Sequence, residues 1–254
     1  MNIIVPVKLV PDLVEELSID ASGTALDTTW LRMIINEFDD HSIEQAILMK
    51  ERTGAQVTVL SLNIEGADDL LFAAAAKGAD RLIKLNGDFQ NGISNHALAH
   101  AMAPILRDLQ PDLILTGVQA HNDLDGTIGP QLAQFLGMPY IGYVSGANIN
   151  ADKVVVRKEY PGGMIGEMQA TLPALLGIQA AEQPPRYVAI SKVRQMMKTM
   201  SIEEMDLPAL DSDRSPAVNR MFQPEVAERA TMLSDNADEA AGQLINLFKE
   251  LGTL

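Results

Sequence analysis

The residues best suited to chemistry lie in Thr116-Gly117-Val118-Gln119-Ala120-His121-Asn122-Asp123-Leu124-Asp125-Gly126-Thr127-Ile128-Gly129-Pro130. Gly126 and Gly129 permit close approach of the backbone to a ligand, and Thr127 adds a hydroxyl. Pro130 suits the first turn of a helix. Such a helix start offers free N–H groups and the positive end of a dipole, which together hold a phosphate. Asn122, Asp123 and Asp125 can accept or exchange hydrogen bonds with a ribose or a base. The chemistry indicated is nucleotide binding, although glycine-bearing strand–loop–helix turns also serve as plain connections.

A second cluster is Asn36-Glu37-Phe38-Asp39-Asp40-His41-Ser42. Three acids ahead of a helix could bind a metal, but a single histidine stands near them. As helix-start acids they complement the dipole, and a loop whose backbone reads a base is the other functional option. His96 and His100 are spaced i,i+4 on a predicted helix, without the further ligands of an HExxH site, and read as a surface pair. Neither a Gly-x-Ser-x-Gly elbow nor a Gly-x-Gly-x-x-Gly or Walker A pattern occurs.

These residues need a scaffold, and the pattern supplies one. Ile3–Val7, Gln56–Leu62, Arg81–Leu85 and Asp112–Thr116 read as strands. Helices are expected over residues 42–53, with Ser42 and Gln45 as a capping box, and over Ala67–Lys77, closed by Gly78. Two more run from Ser94 to about Leu109, where Pro104 should introduce a kink, and from Pro130 to Leu136, stopped by Gly137. Alternation of this kind implies a parallel sheet with helices on both faces. Val144–Ile149, Val154–Lys158 and Glu167–Leu172 follow as antiparallel additions, turning at Asn150-Ala151-Asp152 and Pro161-Gly162-Gly163.

Beyond Glu182 the character changes. Residues 183–233 carry Pro184, Pro185, Pro208, Pro216 and Pro224 among scattered Met and Arg, with no visible core. Met196, Met197, Met200 and Met205 suit either a plastic contact surface or ordinary packing. From Asn236 to Leu251 an amphipathic helix puts Leu244, Leu247, Phe248 and Leu251 on one face, with Asn236 and Glu239 as a capping pair. The division expected is a nucleotide-binding α/β domain over 1–182 and an extended C-terminal arm over 183–254. The arm either packs on its own domain or embraces a partner.

Composition narrows the function classes. The 254 residues carry a net charge of −15, which opposes binding to nucleic acid. Any phosphate must then be held by local donors, and an acidic surface steers toward a basic partner. With no cysteine there is no disulfide, thiolate nucleophile or Cys-ligated zinc or iron–sulfur cluster. The apolar run at the N-terminus is too short for a signal peptide, and no stretch of about 18 apolar residues appears. A cytoplasmic protein is expected.

Several segments, in order and spacing, resemble one family over essentially the whole chain. They are Val5-Pro6-Val7-Lys8, Asn36-Glu37-Phe38-Asp39 leading into Ser42-Ile43-Glu44-Gln45-Ala46, and Ala76-Lys77-Gly78-Ala79-Asp80-Arg81. Pro111-Asp112-Leu113-Ile114-Leu115-Thr116-Gly117-Val118-Gln119-Ala120, Gly162-Gly163, Leu172-Pro173-Ala174 and Pro185-Arg186-Tyr187-Val188-Ala189-Ile190 complete the set. The family is that of the β subunits of electron-transfer flavoproteins. The tail Arg220-Met221-Phe222-Gln223-Pro224 with Arg229-Ala230-Thr231-Met232 is most similar to the branch serving methylated-amine dehydrogenases.

The resemblance implies an electron carrier rather than an enzyme. An AMP lies in this subunit and the redox FAD mainly in an α subunit. A flavin dehydrogenase is the donor, and a membrane-bound quinone reductase the common acceptor. The implied AMP pocket uses Pro6, Asn36, Phe38, Asp39, Leu62 and the loop Gln119, Ala120, Asn122, Asp123, Asp125, Gly126, Thr127, Ile128 and Gly129. Partner docking begins at Arg186 and Tyr187, with Ile190 at the family's docking leucine, and Leu13 replaces a flavin-neighbouring tyrosine. The ending Ile128-Gly129-Pro130 is similar to bifurcating members, which hold a second FAD in this pocket. Their Asp-Gly-Asp-Thr loop is absent, since Asn122-Asp123-Leu124-Asp125 stands there, and AMP is favoured. A nucleotide-sensing stress protein of similar sheet architecture would lack the long arm. A hydrolase built on Asp123 and Asp125 would lack a placed nucleophile.

Overall fold

Strand β1 (Asn2–Val7) sets up both layers of the core. Ile3, Val5 and Val7 join one hydrophobic cluster and Ile4 joins the other, the period of two that a strand imposes. In this computed structural model residues 1–89, 93–124, 126–208, 217–224 and 230–254 are described. They divide into two compact units, Met1–Asn219 and Arg220–Leu254.

After β1, β2 (Leu9–Pro11) and β3 (Met33–Ile35) pair antiparallel with each other. Then α1 (Glu37–Thr53), β4 (Gln56–Leu62), α2 (Ala67–Lys77) and β5 (Arg81–Asn86) alternate, followed by α3 (Asn95–Asp108), β6 (Leu113–Gly117) and α4 (Ile128–Leu136). β7 (Tyr140–Asn150), β8 (Lys153–Tyr160) and β9 (Met164–Thr171) form the antiparallel addition that consecutive strands and their turns predicted. β10 (Ala174–Ile178) returns to the middle of the sheet, parallel to β6 and β7. α5 (Ile190–Thr199) and β11 (Ile202–Asp206) complete the first unit.

The nine strands are ordered β11-β5-β4-β1-β6-β10-β7-β8-β9, parallel except along β7-β8-β9. Ile43 and Ile47 of α1 and Leu71 of α2 cover one face, whereas Leu98 and Leu106 of α3 and Leu132 of α4 cover the other. Met196 of α5 and Met200, just after it, pack on the first face and Met205 of β11 on the second, so three of the four methionines are ordinary packing.

Three sequence expectations need correction. α1 starts at Glu37, so Ser42 and Gln45 are not a capping box: Ser42 Oγ donates to Phe38 O and Gln45 Nε2 to Ala147 O. A burial pattern beginning at Ile43 hid the first turn, which is acidic and polar. β10 was not foreseen, because Ala-Leu-Leu-Gly-Ile has one β-branched residue and reads equally as helix. α5 and β11 lie where no core was visible. β11 is an edge strand whose Glu203 and Glu204 pair with Arg81 and Lys84 of β5, so charge rather than apolar alternation marks it.

Ser94 caps α3 by accepting from Ala97 N at 3.1 Å, and Gly137 closes α4 at φ 69°, as the sequence predicted. Pro104 lies inside α3, which continues to Asp108. In the second unit α6 (Ala237–Glu250) is capped by Asn236, whose Oδ1 accepts from Asp238 N and Glu239 N. The Glu239 carboxylate does not complete the box; it accepts from Ser234 Oγ. No helix among the described residues is long and apolar enough to cross a membrane.

Candidate functional site

From β1 the chain passes to β4 and β5 on one side, then returns to β6 on the other. In open parallel sheets, ligands lie beyond the carboxyl ends of the strands at such a reversal. A cleft partly open to solvent stands there. Pro6 and Val7 end β1, Ser61 and Leu62 end β4, and Gly117 ends β6; Leu98 and Met102 of α3 add an apolar wall.

The start of α1 closes one side. Asp39 is buried, and both its oxygens are used: Oδ2 accepts from Lys8 N and Oδ1 from Gly117 N, each at 2.8 Å. Burial pushes this carboxyl up to about 7, against the lowering effect of those amides, of Asn36 and of the Lys8 charge. Asn36 Nδ2 donates to Gln119 O at 2.9 Å, tying α1 to the loop after β6. The neighbouring acids do not converge on a metal. Asp40 pairs with Lys77, and His41 Nδ1 accepts from Ala181 N.

Asp123 organises that loop. Its Oδ1 accepts from Lys8 Nζ at 2.9 Å and Asn95 Nδ2 at 2.7 Å, and its Oδ2 from Ala120 N at 2.8 Å. Asn95 Nδ2 also reaches Gly126 O at 2.6 Å. Asp123 lines the cleft, yet its oxygens serve protein donors first. Lys8 is the cation among the lining residues. Its ammonium is held by Asp123, which Asn95 ties to Gly126, two residues before α4 begins; no side chain caps the N-terminus of α4. Lys8, paired with Asp123, and Ile128, the first residue of α4, therefore line the same cleft, together with the apolar Leu60, Leu62, Leu98 and Met102.

The cleft brings together Pro6, Asn36, Asp39, Leu62, Gln119, Ala120, Asp123 and Ile128 of the expected pocket. Phe38 instead packs against Gly117, and Asn122 is exposed. Thr127 is the N-cap of α4. Gly126 needs its freedom for a φ of 89°. Gly129 is buried, and a Cβ there would meet Thr116 Oγ1 and Tyr140 Cε2 at 2.9 Å, so this glycine lets helix and strand approach. Asp125 lies outside the described residues. Lys8, Ser61, Asn95 and Met102 were not singled out. Lys8 had a signal, as the lone cation closing Val-Pro-Val-Lys; Asn95, directly after a helix cap, had none.

Away from the cleft, Tyr187 is 88% and Ile190 68% exposed. Arg186 is turned inward onto Glu44 and Glu51, which raise its already high pKa further. His96 and His100 pack their rings on Phe135, with centroids 5.5 and 5.1 Å away.

Sheet, reversal point and cleft define the class as an open, mostly parallel α/β protein with a cleft at the switch point of its sheet. Comparison with known proteins takes this further: the model of the electron transfer flavoprotein domain matches residues 25–210. The chain is 30% identical to a protein named electron transfer flavoprotein subunit beta from Methylophilus methylotrophus, over 98% of both chains. It is 29% identical to another of that name from Clostridium acetobutylicum, again over 98% of each. Identity is 28% to the caffeyl-CoA reductase-Etf complex subunit CarD of Acetobacterium woodii, covering 98% of both. The chain belongs to the electron transfer flavoprotein family, among its β subunits.

Proposed function

We propose that this chain pairs with an α subunit, holds AMP in the cleft at β1 and β6, and works as an electron carrier rather than an enzyme. The FAD belongs mainly to the α subunit and supplies the redox chemistry of the complex. Electrons arrive from a flavin dehydrogenase, here one acting on methylated amines, and leave to an acceptor such as a quinone reductase. The compartment is the cytoplasm.

The observation that carries the AMP reading is that Lys8 and Ile128, the first residue of the uncapped α4, line one cleft with the apolar Leu62, Leu98 and Met102. At a net charge of −15 an anion is held where local donors outweigh the global field. Lys8 and the α4 amides would face the phosphate; Leu98, Met102 and Leu62 would contact the base and ribose. Asn36, Asp39 and Asp123 would set the shape of the loop rather than spend their polar atoms on the ligand.

The second FAD remains the alternative because the Ile128-Gly129-Pro130 ending favours it. That ending has another cause, however: Gly129 is required by Thr116 and Tyr140 behind it. The experiment is co-expression with the α subunit, followed by mass spectrometry of the nucleotides released from the heterodimer. One AMP and one FAD are expected. Two FAD would establish the alternative, and no AMP-sized ligand would end the AMP reading.

A further inference from the structure

Residues 181–189 form neither helix nor strand. Such a stretch must satisfy its backbone amides elsewhere, and three of them do so on one face of α1. Ala181 N donates to His41 Nδ1 at 3.2 Å, Glu182 N to Gln45 Oε1 at 3.1 Å and Arg186 N to Glu44 Oε2 at 2.9 Å. Pro184 and Pro185, which have no amide hydrogen to satisfy, stand in the gap.

The last attachment is the strongest. The Glu44 side chain is 2% exposed, and Arg186 forks onto it through Nε at 3.0 Å and Nη2 at 2.8 Å, while Nη1 reaches Glu51 at 2.7 Å. A buried carboxylate left without its partner is costly, so α1 and Arg186 fix each other. The chain then leaves the surface: Tyr187 and Ile190 are largely exposed, and Ile190 opens α5 one turn before Val193. The exposed side of α5 carries Lys192, Arg194 and Lys198 and no acid, on a chain whose net charge is −15. An apolar tip beside a local basic patch suits a partner with an apolar pocket rimmed by carboxylates.

We infer that Glu44 is a positioning residue: through Arg186 it holds Tyr187, Ile190 and the basic face of α5 as a preformed docking tip for such an electron-donating dehydrogenase. This rests on the electron-carrier reading above. The gain is preorganisation, because a tip that is already rigid loses less conformational freedom on docking.

The test uses the heterodimer with its α subunit, reduced by a purified flavin dehydrogenase acting on methylated amines, with donor KM and kcat measured at low and high salt. Glu44→Gln and Arg186→Gln should each raise donor KM about tenfold at unchanged kcat, the sign of lost binding rather than lost chemistry. Hydrogen exchange should quicken over residues 183–190 while FAD content stays the same. The double variant should be no worse than either single one, since the two residues act as a unit. Donor KM of the unaltered complex should rise with salt.

If Ile190→Ala raises donor KM but both clamp variants leave it unchanged, docking stands and the clamp inference fails. If Ile190→Ala has no effect, or the donor does not reduce the complex, the reading beneath it fails instead. A fall in FAD content and kcat with KM unchanged would make Glu44 merely structural. A KM independent of salt would remove the carboxylate rim.

Discussion

Gly117 and Asp39 occupy one another's space: the Gly117 amide donates to Asp39 Oδ1 at 2.8 Å, and a Cβ on residue 117 would overlap that same oxygen. The Phe38 Cβ stands 2.9 Å from the same point. Glycine is needed here because α1 must reach the end of β6 to close the cleft. Gly117→Ala should push them apart, lowering stability by about 1–3 kcal/mol, as overpacking does. It should also abolish nucleotide retention. Thermal denaturation of the heterodimer and its nucleotide content check both, and a variant that keeps its ligand and melting temperature would show that the contact is slack.

Asp39 gives the complex a pH signature. Burial raises its folded pKa from 3.8 to about 7. Across that window the folded state keeps a proton that the unfolded state has released. The contribution is therefore complete below 3.8 and is lost as pH rises through about 7. The slope reaches at most ~1.4 kcal/mol per pH unit. Asp39→Asn, neutral throughout, should flatten this component, although its amide can replace only one of the two acceptors. Urea denaturation at roughly pH 5 and pH 7 compares the two proteins; parallel slopes would mean that Asp39 is ionised in the folded state.

Lys8 should decide between phosphorylated and unphosphorylated ligands. Lys8 lines the cleft with Ile128, the first residue of α4, and its ammonium is held by Asp123 at 2.9 Å. Lys8→Met should reduce the preference for AMP over adenosine about ten- to hundredfold, the usual weight of a hydrogen bond to a charged group. Calorimetry on nucleotide-stripped heterodimer reads both affinities. An equal loss for both ligands would mean that Lys8 works by shaping the Asp123 loop instead of meeting a phosphate.

The parallel sheet was legible because β1, β4 and β6 are short β-branched or leucine runs between well-punctuated helices. The antiparallel addition was legible through its turns. What escaped depends on tertiary partners: β10 is a strand because β6 and β7 flank it, and β11 because Arg81 and Lys84 answer its glutamates. At the cleft, the loop and the start of α1 were identified by residue type, but the direction in which side chains point was not. Asp123 looked like a ligand for ribose and turned out to face Lys8 and Asn95. Gly129 looked like a phosphate glycine and turned out to face Tyr140. Spacing along a chain marks a loop; which of its atoms remain available is settled by the elements behind it.

α6 buries none of its residues; Ile245 and Phe248, with Leu251 at its C-cap, are 47%, 42% and 66% exposed. An apolar stripe of this kind, on a helix with a good N-cap, is stable where something covers it. In the proposed heterodimer that cover is the α subunit. The double variant Ile245→Glu, Phe248→Glu should weaken the subunit association on the order of a hundredfold, since each large apolar side chain contributes about 1.5–3 kcal/mol on burial. Glu250→Gln, on the polar side, should change little. Sedimentation at falling protein concentration measures the association. Chain 1–219, which forms a compact unit of its own, should still bind nucleotide. Unchanged association in the double variant, with helix content retained, would mean that the stripe is covered by its own chain and that the arm plays no part in holding the partner.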